Sequence, residues 1–144
     1  MEYFCAYQER CYKEVEDKLY SFTLSISEKE QVLTYLIENK FINEERFAQS
    51  FVRGKHNYKF WGKNRIVNEL KFRNISSRNI QTALKEIPEE VYLENFHRLA
   101  EKQWNSITER KGQKKNKKFV DFLLRKGYES DLIFENLNDL NRSF

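Results

Sequence analysis

Five apolar residues of this chain recur, in order and without a gap, 53 positions downstream. Ile66, Leu70, Ile75, Ile80 and Leu84 return as Phe119, Leu123, Tyr128, Ile133 and Leu137. The basic residue before the first returns too, Arg65 as Lys118, and a short joint is copied with it: Arg73-Asn74-Ile75 becomes Lys126-Gly127-Tyr128. The four-residue steps Ile66/Leu70 and Ile80/Leu84 put each pair on one face of a helix. Asn or Gly between the pairs suits the left-handed residue that commonly ends a helix. Each unit therefore reads as helix, left-handed stop, apolar plug, helix. An internal repeat of this kind constrains the fold more than any other feature, because its units bury their faces by stacking.

A weaker copy lies near the start. Val15 and Leu19 align with Ile66 and Leu70, and Val32 and Leu36 with Ile80 and Leu84, once the connection holding Phe22 to Ile26 is three residues longer. No segment alternates apolar and polar residues as a half-buried strand does. One Pro and four Gly among 144 residues leave few turns and favour helices joined by tight connections. Helices are expected near 2–9, 12–22, 27–39, 43–55, 62–73, 76–86, 114–126 and 130–140, with a long one from 88 that ends between 108 and 110. Ser27 and Glu30 have capping-box spacing, Asn43 caps a helix carrying Glu44 and Glu45 in its first turn, and Pro88 suits a helix start. Cys11-Tyr12 makes an uncommon helix start. The expectation is an all-α chain: a single domain over 1–144 with three tandem three-helix repeats, near 1–40, 41–87 and 88–144, stacked into an elongated curved array.

Charge is segregated along the same frame. From Arg53 to Lys85 nine Lys/Arg face one acid, Glu69; residues 109–126 hold eight against two. The stretches before, between and after these blocks are net acidic, and the whole chain is only +4. A folded segment with that much unbalanced charge expects an anionic partner. Tyr58, Phe60, Trp61 and Phe72 are interleaved with the first block. Trp61 and Phe72 neighbour the apolar stripe and are expected in the core, while Tyr58 or Phe60 could stack on bases.

Nothing in the sequence assembles an active site. His56 and His97 are far apart, and Cys5 and Cys11 lack C-x-x-C spacing and read as reduced, semi-buried thiols. The four glycines, at 54, 62, 112 and 127, cannot make a phosphate loop. Paired acids such as Glu44/Glu45 and Glu89/Glu90 suit helix starts. No catalytic residue, metal or cofactor is expected. The opening MEYFCAYQER has no basic segment before an apolar core, and no apolar run is long enough to span a bilayer, so a cytoplasmic chain without a membrane partner is expected.

The residues also resemble a known family. Asn43-Glu44-Glu45-Arg46-Phe47-Ala48, Phe51-Val52-Arg53, Gly62, Arg65-Ile66, Glu69-Leu70, Asn74-Ile75, Ile80 and Ala83-Leu84 closely resemble RecX, the regulatory protein of the RecA recombinase. Cys5-Ala6-Tyr7, Glu9-Arg10, Glu14-Val15 and Lys18-Leu19 are similar to its first repeat, and Phe122-Leu123 with Arg125-Lys126-Gly127-Tyr128 to its third. Asn43 stands where Asp is usual and Asn74 where Gly is usual, substitutions that keep the cap and the left-handed stop.

The resemblance implies a crescent of three repeats in the groove of the RecA–DNA filament, limiting filament growth and so inhibiting strand exchange, ATP hydrolysis and co-protease activity in recombination and SOS repair. The family has no enzymatic activity, and a monomer is expected. The residues expected to meet the filament are Arg53, Lys55, Lys59, Lys63, Arg65, Lys71, Arg73, Arg78, Arg110, Lys111, Lys114, Lys115, Lys117 and Lys118. Direct binding of single-stranded DNA by this surface is a further expectation. The alternative from another class is a helical nucleic-acid-binding module that acts without RecA.

Overall fold

The computed structural model describes residues 1–142, and its regular structure is helical. The helices are α1 (Glu2–Tyr7), α2 (Tyr12–Leu19), α3 (Ile26–Glu38), α4 (Glu44–Lys59), α5 (Lys63–Phe72), α6 (Ser77–Leu84), α7 (Glu89–Ser106), α8 (Gln113–Lys126) and α9 (Ser130–Arg142). No strand occurs among the described residues. The chain is thus an all-α helical repeat protein, as the spacing predicts.

Local chemistry explains the helix ends. Asn43 caps α4 as expected, its Oδ1 accepting from the Arg46 N–H at 2.9 Å. Ser76 caps α6 by accepting from Asn79 N–H at 3.2 Å. The α3 cap differs from expectation by two residues. Ser25, not Ser27, accepts from Glu28 N–H at 3.1 Å, and the Glu28 carboxylate accepts from Ser25 N–H at 3.0 Å. Both serines offer the same hydroxyl-to-carboxylate spacing, and the earlier one prevails. α7 stops at Ser106, short of the expected 108–110, because Ile107 is extended and the Ser106 hydroxyl turns back to donate to the Gln103 carbonyl at 2.8 Å.

Left-handed residues follow four helices: Lys40 after α3, Phe60 after α4, Asn74 after α5 and Gly127 after α8. Three of them precede the same back-bond. Phe41 N–H donates to Leu36 O at 2.8 Å, Ile75 N–H to Leu70 O at 3.1 Å, and Tyr128 N–H to Leu123 O at 3.1 Å. This closes otherwise orphaned carbonyls of the last turn and aims the plug residue inward. The copied joint of the sequence therefore has a copied geometry. Each non-glycine stop bears a steric cost of about 1–2 kcal/mol that these bonds offset. α2 ends differently, in a right-handed Tyr20, so the first copy lacks the stop-and-plug device.

The chain forms two compact units. Unit 1 is Met1–Val52 with Glu69–Glu86; unit 2 is Arg53–Asn68 with the chain from Ile87 onward. α4 and α5 each contribute to both. In unit 1, Cys5, Val15, Leu19, Leu33, Leu36 and Ile42 form a buried cluster edged by Met1, Phe4, Leu24, Val32 and Phe41. Val32, aligned with Ile80 in the sequence, stays at the margin, and Leu33 takes the interior place. Cys5 and Cys11 are free thiols, fully buried where the sequence suggested partial burial. Burial raises both, Cys11 up to about 11, which keeps it a thiol at neutral pH. Arg73 braces the unit: its guanidinium meets Glu69 at 2.8 Å and Glu14 at 3.8 Å and lies 5.0 Å over the Phe51 ring. Phe72, expected in the core, is instead 71 % exposed. It is the last residue of α5 and lies off the Ile66/Leu70 face.

Unit 2 is built on aromatic packing. Tyr92, Phe96, Ala100 and Trp104 are buried along α7, and the copied set Phe119, Leu123, Tyr128, Ile133 and Leu137 is buried opposite polar exteriors on α8 and α9. Trp104 meets Phe119 edge-on at 5.5 Å, and Phe96 and Tyr92 lie 5.1 and 5.5 Å from Tyr128. Full burial of such a side chain contributes roughly 1.5–3 kcal/mol. No helix of the described residues is long and apolar enough to cross a membrane.

Two glycines give opposite predictions. A Cβ on Gly62 would collide with the backbone of Gly127 and Tyr128, so Gly62→Ala should destabilise by about 2–4 kcal/mol. Gly54 lies inside α4 with open space around it, so Gly54→Ala should stabilise by about 0.5–1 kcal/mol. Urea unfolding of the two variants measures both; a neutral Gly62→Ala would show that the helices can part without loss.

Candidate functional site

The densest polar geometry lies in unit 2, where the start of α5 meets the end of α8. The first N–H groups of a helix lack partners within it, as do its last carbonyls. Here they satisfy each other. Gly62 N–H donates to Lys126 O at 2.7 Å, and Asn64 N–H to Gly127 O at 2.9 Å. Lys63 N–H donates to the Tyr92 hydroxyl at 3.0 Å. So close a backbone approach requires glycine on both sides, and a Cβ on Gly127 would strike Arg65. Gly127 also has φ +100, which glycine adopts without strain.

Buried polar groups lock this joint. The Tyr92 hydroxyl donates to the Glu129 carboxylate, and the Tyr128 hydroxyl donates to the Phe60 carbonyl at 2.8 Å. Burial raises the pKa of both phenols well above the ordinary range, and for Tyr92 the hydrogen bond to Glu129 adds to it. His56 is wholly buried. Its Nδ1 lies 3.0 Å from the Trp61 carbonyl, which can only accept, so the proton resides on Nδ1. Nε2 then accepts from the Asn95 amide at 3.0 Å. Burial lowers the His56 pKa, and Lys63 adds to the effect against the opposing bond to Trp61. The imidazole is therefore a neutral structural link.

Positive charge gathers around the joint. Unit 2 holds sixteen Lys/Arg against ten Asp/Glu; unit 1 holds ten against twelve. Of the fourteen expected site residues, Lys71, Arg73 and Arg78 belong to unit 1 and the other eleven to unit 2. The basic run 53–85 is thus divided, while the stretches 53–65 and 110–118 fall in one unit. Arg65 donates to the Arg125 carbonyl at 3.2 Å and stacks 4.0 Å from the Trp61 ring, with Lys55 at 4.9 Å from the same ring. Lys63 pairs with Glu89 at 3.2 Å, Lys117 with Asp121 at 2.7 Å, and Lys118 with Glu109. Lys115 lies 4.1 Å over Trp104. Arg53, Lys59, Arg110, Lys111 and Lys114 are exposed in unit 2, as are Lys71 and Arg78 in unit 1. Arg73 is committed to its ion pairs. Lys126 escaped the sequence reading as a site residue: its Nζ donates to the Lys59 carbonyl at 3.1 Å, and burial together with Arg65 and Lys59 lowers its pKa. Its place in the copied joint was the available signal. Among the described residues, no group of three or more His, Cys, Asp or Glu side chains is arranged to hold a metal ion.

The architecture defines a protein of tandem three-helix units, and comparison with known proteins identifies which. Residues 43–84 match the second three-helix domain of RecX, and residues 90–137 its third. The chain belongs to the RecX family. It is 28% identical over 137 residues to the regulatory protein RecX of Bacillus cytotoxicus, covering 95% of this chain and 51% of that protein. The RecX of Oceanobacillus iheyensis is 27% identical over 131 residues, covering 91% and 48%. The chain thus spans about half the length of the curated relatives it matches. The crystal structure of RecX from Lactobacillus salivarius superposes with a TM-score of 0.79 at 29% identity, over 97% of this chain and 91% of that one. A second RecX crystal structure gives 0.82 at 25% identity, over 94% and 68%.

The buried imidazole gives stability a pH dependence. A depressed folded pKa means that the unfolded chain takes up the proton first. This contribution is complete above the unfolded value of about 6.5 and is lost as pH falls through it toward the lower folded value. Urea titrations across that range should show the loss, and His56→Gln should flatten it; an unchanged slope would mean that His56 titrates normally.

Proposed function

We propose that this chain is a RecX-type regulator that binds the RecA–DNA filament and limits its growth, with strand exchange and ATP hydrolysis falling in consequence. The three repeats, near 1–40, 41–87 and 88–144, serve one interface. The reading is carried by the concentration of positive charge in unit 2, in a chain of the RecX family. A polyanionic filament is the partner such a surface suits, and binding to it should weaken with salt. The cations proposed to make the contact are the exposed and half-exposed members of the set: Arg53, Lys55, Lys59, Lys63, Arg65, Lys71, Arg78, Arg110, Lys111, Lys114, Lys115, Lys117 and Lys118. Arg73 supports the surface from within.

RecA ATPase rate and filament length, with and without the chain, test the proposal. Both should fall in its presence. The triple variant Lys59→Glu, Arg110→Glu, Lys114→Glu changes side chains that make no ion pair among the described residues, so it should remain folded and lose inhibitory potency by roughly ten-fold or more. Arg73→Glu does not belong in this set, since it would set a carboxylate against Glu14 and Glu69. Inhibition unchanged in the triple variant would remove the charge from the interface. Equal affinity for bare single-stranded DNA and for the filament would favour a nucleic-acid-binding module that needs no RecA.

A further inference from the structure

We propose that Lys59, Arg65 and Lys126 form a phosphate-binding site for the backbone of single-stranded nucleic acid, with Tyr58 as the adjoining surface for a base. The three cations come from the end of α4, the first turns of α5 and the last residue of α8. They are gathered by backbone carbonyls. Lys126 Nζ is 3.1 Å from Lys59 O, and Arg65 Nη1 is 3.2 Å from Arg125 O. These bonds position the charges without neutralising them. No carboxylate forms an ion pair with Lys59, Arg65, Arg125 or Lys126 among the described residues, whereas Lys63, Lys117 and Lys118 nearby in sequence each have one. Burial lowers the Lys126 pKa, and the nearby charges of Arg65 and Lys59 add to the effect. An anion held here would relieve mutual repulsion that the fold itself leaves in place.

The N-terminus of α5 takes no part in holding it. The N–H groups of Gly62, Lys63 and Asn64 are already bonded, to Lys126 O, Tyr92 Oη and Gly127 O. The ligand must therefore be held by side chains, and Arg65 is already oriented by its stack on Trp61. Tyr58 directs the choice among anions. It precedes Lys59, and at 85 % exposure it covers nothing in its own chain. An exposed aromatic ring one residue from Lys59 suits a phosphodiester with an unstacked base, which single strands offer and a carboxylate surface does not. The inference rests on unit 2 being the filament-facing surface, and it assigns this part of that surface to the nucleic acid.

The full chain, without RecA, is titrated with a fluorescent single-stranded oligothymidylate from about 50 to about 200 mM salt. Lys126→Gln and Lys59→Gln should each weaken binding roughly three- to ten-fold at the lower salt, and each should flatten the slope of log affinity against log salt by about 0.7. Tyr58→Ala should weaken binding and leave the slope unchanged. Lys102→Gln, an exposed cation on α7, should change neither. Lys59 has an exposed side chain with no ion pair, so its variant decides the matter if Lys126→Gln fails to fold. A wild-type slope in the Lys59 variant overturns the site. So does binding of polyglutamate in place of oligothymidylate, which would mark a surface for acidic protein. Oligothymidylate binding of the predicted kind by a chain that leaves RecA ATPase untouched would support the site and defeat the regulatory reading alone.

Discussion

The structure of unit 2 depends on one set of backbone hydrogen bonds: orphan N–H groups at the start of α5 donate to orphan carbonyls at the end of α8. The two helix ends cap each other, with the Tyr92 hydroxyl accepting from the remaining Lys63 N–H. The exchange demands contact at backbone distance, and that demand fixes two residue identities. Gly62 and Gly127 face each other where no Cβ fits. Tyr92 and Tyr128 then fasten the joint from the interior, each through a hydroxyl that spans sequence-distant segments. The meeting is also electrostatically favourable, since a positive helix N-terminus abuts a negative C-terminus.

The same contact arranges the electrostatics. Helix C-termini attract cations, and the ends of α4 and α8 each supply a carbonyl to a long basic side chain, Lys126 and Arg65. Side chains that would otherwise range freely in solvent are held in place. Four acids of the unit, Glu89, Asp121, Glu109 and Glu129, are engaged by Lys63, Lys117, Lys118 and the buried Tyr92. A modest total charge of +4 thus conceals a local field that composition alone would not suggest.

Much of the fold was legible because it is local. The spacing of Ile66, Leu70, Ile75 and Ile80, and its copy, identified buried faces, and the stops at Asn74 and Gly127 followed from residue type. Lys40 and Phe60 adopt the same left-handed conformation with no such signal from residue type, held by local back-bonds such as Phe41 N–H to Leu36 O and Trp61 N–H to Lys55 O. The Ser25 cap was hidden by an equally spaced serine two residues on. Phe72 was misplaced because proximity in sequence to an apolar stripe does not set a side chain on its face. The site was less legible than the fold. Basic residues were visible, but the division of 53–85 between two units, the pairing of Arg73 with Glu14 and the place of Lys126 all arise from contacts between residues far apart in the chain.

Arg73 and Lys126 occupy the same position in the two copies of the joint, yet they have parted company. In one copy the cation is enclosed by Glu14, Glu69 and Phe51; in the other it caps a carbonyl and remains uncompensated. The same position of a repeated joint thus carries a cation that acids hold in one copy and a backbone carbonyl holds in the other, so equivalence in sequence does not carry over into equivalence of electrostatic surroundings.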